Sequence, residues 1–146
     1  MKLLRTAVVA ALAASAASTP SAAVPEDDKL RAALIGIWCS SQDAGKSCYA
    51  WDEFKVDGTV VSCGTWPRSK RPWAATGAFR VSGKTVYLTV TSKSKFYAMP
   101  VGDRFTTEVL AIDARSQTYV DNVSREQRVL YRVESSARSC PRLDEA

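Results

Sequence analysis

The sequence predicts an all-β protein: one antiparallel up-and-down barrel of about eight strands, preceded by a short helical turn. Three observations carry this. Short runs alternate apolar and polar side chains with the period of a strand, most cleanly in "KTVYLTVT", residues 84–91. Turn signals such as Asp57-Gly58 and Ser82-Gly83 separate the runs. The joins are mostly too short for anything but hairpins between neighbours, and closing such a meander removes its exposed edges.

The chain opens with Lys2 and Arg5, an Ala-rich apolar stretch from Thr6 to Ser18, and the small residues Ser21-Ala22-Ala23. This is the pattern of a secretory signal peptide, residues 1–23, cleaved after Ala23. The apolar stretch falls short of the roughly 20 residues that a membrane-spanning helix needs. Residues 24–146 form one domain. Two cations leave with the leader, so the formal net charge of +5 overstates the attraction to acidic partners.

In "VPEDDKLRAA", residues 24–33, Pro25 and three acidic residues suit a first helical turn. Residues 35–40 form the first strand and "CYAWDEFKV", residues 48–56, the second. Asp57-Gly58 then makes a two-residue hairpin turn, with positive φ expected at both positions. Residues 59–64 return. A long join, 65–75, leads to a strand at 76–82 with Phe79 and Val81 on one face. In 84–91, Val86, Leu88 and Val90 point inward. A short run at 96–99 ends at Pro100, and strands at 104–112, 117–121 and 127–134 close the series.

The four cysteines, Cys39, Cys48, Cys63 and Cys140, all follow the leader. Export to an oxidising compartment makes two disulfides of them. Strand positions favour Cys39 with Cys48 and Cys63 with Cys140; the competing pattern is Cys48 with Cys63 and Cys39 with Cys140. Their spacing is not that of a zinc site, and the sequence has no histidine. We expect neither metal nor cofactor.

The missing histidine also removes the common Ser-His and Cys-His catalytic arrangements, so the protein is expected not to be an enzyme, the exception being carboxylate-based chemistry at a buried, unpaired Asp52 or Glu108 in a cleft. Asp52 shares a strand face with Phe54. Pointing inward, Asp52 would be a site candidate with a shifted pKa; buried carboxylates are usually paired, so the favoured expectation is that it bonds backbone near a barrel rim or is turned outward by a bulge.

Gly36-Ile37-Trp38, on a first strand that follows a short helix, resembles the lipocalins and the small bacterial lipocalin-like domains. "WDEFKVDGTVVSCG" is similar to the second hairpin of those small domains, with Phe54 inward. The resemblance covers roughly residues 31–134. It implies a barrel whose Trp38 plugs the closed end, with Gly36 before it and an Arg of the last strand stacked across the indole. Arg132 in "VLYRV" stands at the matching place, and Arg128 is the other candidate. One pattern argues against the stack: Val129, Tyr131 and Val133 share one face of the last strand, leaving Arg132 on the other.

"CGTWPRSKRPW", residues 63–73, holds the remaining candidates. Arg68, Lys70 and Arg71 are expected to be solvated at the tip, with Trp66 and Trp73 folded back over the barrel mouth. The competing reading makes the stretch a binding arm, since Trp and Arg are enriched at interface hot spots. Trp51 is a further candidate for contact with a ligand.

The functional expectation is a periplasmic or secreted, monomeric binding module for a small apolar or amphipathic molecule. The alternative is a protein-interaction module, such as an enzyme inhibitor, that meets an envelope protein through the 65–75 loop. Export argues against a nucleic-acid partner.

Overall fold

A computed structural model describes residues 26–134 and Cys140. The expected leader, residues 1–23, lies outside these residues. The order is α1 (Glu26–Leu34), β1 (Gly36–Ser40), β2 (Ala50–Phe54), β3 (Thr59–Thr65), β4 (Pro72–Ser82), β5 (Thr85–Lys93), β6 (Arg104–Ile112), β7 (Ser116–Asp121) and β8 (Gln127–Val133). The strands pair consecutively, all antiparallel, and β1 pairs β8 to close the barrel.

The interior core joins Trp38, Phe54, Val60, Phe79, Val86, Leu88, Val109 and Leu130 with Leu34 from the helix. Val86, Leu88 and Val90 are buried, as their alternation predicts. Helix α1 seats on the end of the barrel that carries the β2–β3 and β4–β5 turns. Gly83 donates its backbone N–H to the Asp27 carboxylate at 2.7 Å, and Arg31 donates to the Val56 carbonyl at 2.9 Å. Trp38 is fully buried, and its Nε1 donates to the Leu34 carbonyl at 2.7 Å.

Both disulfides follow the favoured pairing, Cys39–Cys48 and Cys63–Cys140. They anchor a second apolar cluster, of Cys39, Trp51, Cys63 and Ala74 with Ile37 and Val133 against it. Residues of this cluster alternate with inward-facing neighbours such as Trp38, Asp52 and Ala75, so it lies on the outer face of the barrel.

Four expectations change. In the β2–β3 turn the positive φ falls on Gly58 (88°) and not on Asp57, whose carboxylate instead accepts the Thr59 N–H at 2.8 Å. Strand β4 begins at Pro72, opposite Thr65, which shortens the join to 66–71; a proline can open a strand because the first position need not donate to the ladder. Residues 96–99 are loop, not strand. The inward side of β8 is that of Leu130 and Arg132, because the side of Val133 faces the outer cluster.

Arg132 therefore does stack. Its guanidinium carbon lies 4.2 Å from the centre of the Trp38 ring. Its two terminal nitrogens donate to the carbonyls of Ile35 (2.7 Å) and Ala33 (2.6 Å), tying the end of α1 to the last strand. Gly36 has φ +125°, and a Cβ there would stand 2.5 Å from Arg132 Nη1.

Candidate functional site

The core residues Leu34, Phe54, Val86, Val109 and Leu130 form the floor of an internal space. This cavity, of about 150 Å³, runs toward the end of the barrel opposite α1. Its wall is mostly apolar, with Phe54, Val86, Leu88, Phe105 and Leu130. A set of polar side chains joins them: Asp52 from β2, Ser62 from β3, Thr107 from β6, and Gln117 and Tyr119 from β7. Strand alternation selects every one. Asp52 pairs with Ser62 across the ladder, and Gln117 pairs with Leu130, so these polar groups share the inner face with core residues.

Asp52 is the main departure from expectation. It bonds no backbone group at the rim. Ser62 Oγ donates to its Oδ1 at 2.5 Å, and its other oxygen has no hydrogen-bond partner among the described residues. Burial pushes its carboxyl up from the ordinary value, against the hydrogen bond from Ser62, which lowers it. Tyr97 and Tyr119 are also pushed up, first by burial and then by the charge of Asp52. Both phenols stay neutral at physiological pH. Gln117 is only 4% exposed, and its side chain has no hydrogen bond within the described residues.

The mouth is built from aromatic rings. Trp73 lines the cavity and packs between Trp66 (centroids 5.7 Å apart) and Tyr97 (5.4 Å). Trp66 Nε1 donates to the Phe96 carbonyl at 2.9 Å, which fastens the 66–71 loop to the 94–103 loop. Arg68, Lys70 and Arg71 are exposed at the tip, and Arg71 lies over the Phe96 ring at 4.9 Å. Lys70 takes a positive φ of 56°, which helps turn the loop back.

Of the ligand-contact candidates Trp51, Trp66, Arg68, Lys70, Arg71 and Trp73, it is Trp73 that borders the cavity, and Asp52, weighed in the sequence as an inward carboxylate, borders it as well. Trp66 stacks on Trp73 from outside. Trp51 is in the outer cluster, one residue and hence one face away from Asp52. Gly36, Trp38 and Arg132 form the closed end. Sequence reasoning passed over Ser62, Gln117 and Tyr119. The signal for them was parity and pairing: Ser62 stands two places from inward Val60, Gln117 faces inward Leu130 across the ladder, and Tyr119 stands two places from Gln117.

No protein-family model and no curated protein matches the chain. Solved structures do. A lipocalin-like protein from Bacteroides uniformis superposes with a TM-score of 0.53 at 14% identity, over 69% of this chain and 99% of that one. An uncharacterized protein from Bacteroides eggerthii gives 0.48 at 13% identity, over 68% and 99%. At such identity the likeness to the first is one of fold: the chain is a closed eight-stranded barrel of lipocalin-like architecture.

Proposed function

We propose that the protein is an exported binding module that holds one small apolar or amphipathic molecule inside its barrel. The observation that carries this reading is the cavity itself, about 150 Å³ of apolar and polar wall beneath an aromatic mouth. An apolar cavity of that size engineered elsewhere binds benzene, so the room suits a single ring or a short branched chain. Export rests on the leader pattern and is supported by the two disulfides, which persist in oxidising compartments. Among the described residues no helix is long and apolar enough to cross a membrane.

The reading assigns no catalytic chemistry. There is no histidine, and the four cysteines are held in disulfides. The protein-interaction alternative draws less support, because Trp66 and Trp73 engage the barrel mouth and each other.

The test is thermal denaturation of the disulfide-bonded protein with toluene and benzyl alcohol, read beside indole fluorescence. We expect a raised midpoint and a changed emission from Trp73. Both should vanish in Thr107→Phe, which fills the cavity. A wild-type midpoint that no small apolar compound moves would overturn the proposal.

A further inference from the structure

We infer that the molecule held in the cavity is a small amine, bound as its ammonium with the positive charge against Asp52. This rests on the binding reading above and adds the ligand's chemical class.

Asp52 faces the cavity with one oxygen bonded by Ser62 and the other without a protein partner among the described residues. No Lys or Arg lines the cavity, and none of the ion pairs among the described residues includes Asp52. A carboxylate taken out of water is costly unless it keeps its proton or a cation meets it. Here the fold supplies none, so the ligand is the natural source. Gln117 and Tyr119 point into the same space with side chains that have no hydrogen-bond partner among the described residues. An ammonium carries three N–H donors, and a carboxylate, an amide oxygen and a neutral phenol are acceptors that suit them. Trp73 and Phe105 supply apolar wall for the carbon body, and an aromatic face also attracts a cation.

The same features reject other classes. An anionic ligand would meet Asp52 with no compensating cation. A divalent metal would need more ligands than one carboxylate, and no group of three potential ligands occurs among the described residues. A long lipid chain exceeds about 150 Å³.

The experiment is calorimetric titration of the disulfide-bonded protein with three probes of one shape: benzylamine, benzyl alcohol and benzoate. A hydrogen bond to a charged group exceeds a neutral one by enough for about a tenfold preference. We expect benzylamine to bind at least about tenfold more tightly than benzyl alcohol, and benzoate not to bind. In Asp52→Asn the preference for benzylamine over benzyl alcohol should disappear. Equal or weaker binding of the amine by the wild type overturns the inference and leaves the cavity reading standing. An amine preference that survives in Asp52→Asn also overturns it. If no probe binds, both readings fall. The wild-type ranking decides the matter even if the variant does not fold.

Discussion

Arg132 covers the ring of Trp38 at 4.2 Å while donating to the carbonyls of Ile35 and Ala33, so one guanidinium closes the barrel end and fastens the helix to it. The arrangement explains the Gly at position 36, where a side chain would both strain the backbone and collide with the guanidinium. Trp38→Ala should cost about 3–5 kcal/mol in chemical denaturation, the range for a large core aromatic. Arg132→Met should cost about 2–3 kcal/mol through the lost charged hydrogen bonds. Gly36→Ala should be clearly destabilising as well, and a neutral result would mean that the stack tolerates displacement.

The raised carboxyl of Asp52 gives stability a definite pH slope. Its folded pKa lies above the unfolded value of about 3.9. Between the two, the native state keeps a proton that the unfolded chain has lost, so this group's contribution to stability falls as pH rises through that window. Below the unfolded value the penalty is absent; above the folded value it is fully present. Asp52→Asn keeps an acceptor for Ser62 and removes the charge. It should raise the denaturation midpoint at pH 7 and flatten this part of the pH profile. A lower midpoint at neutral pH would mean that the carboxylate is stabilised by a partner.

The disulfides should differ in weight. Cys63–Cys140 closes a separation of 77 residues and Cys39–Cys48 one of 9. Chain entropy alone then assigns about 4–5 kcal/mol to the first and about 2–3 kcal/mol to the second. Paired Cys→Ala variants, unfolded in urea, would show the order. Thiol titration of the denatured, unreduced protein should find no free cysteine.

At the mouth, Arg68→Ser and Lys70→Ser should each change stability by no more than about 0.5 kcal/mol, as solvated positions do. Arg71→Ser should cost slightly more, about 0.5–1 kcal/mol, for its contact with Phe96. Trp73→Ala should destabilise markedly, since it removes the ring between Trp66 and Tyr97. A large loss in the Arg68/Lys70 double variant would show that the tip is engaged rather than solvated.

Hairpin spacing and alternation made the barrel legible. Val86, Leu88 and Val90 read correctly because a two-residue period survives in a strand with one buried face. The last strand misled because both of its faces are covered. Val133 is apolar for the outer cluster, so hydrophobicity alone could not say which side faced in. The outer cluster depends on the Cys63–Cys140 link, whose far partner is 77 residues away, and local pattern cannot display it. Trp51 was misplaced for the same reason. Asp52 was doubted because a general rule about paired carboxylates outweighed its own parity with Phe54, and here parity was the better guide.

Trp66 and Trp73 sit 5.7 Å apart and tilted by 37°. Two indoles so close exchange excitation, and their electronic transitions mix into a pair with opposite circular-dichroism signs. Trp38, by contrast, lies under the Arg132 guanidinium in the core. The barrel therefore carries an intrinsic optical gauge at its entrance, whose couplet tracks the geometry of the two rings and would distinguish a rearranged mouth from a melted core without any added label.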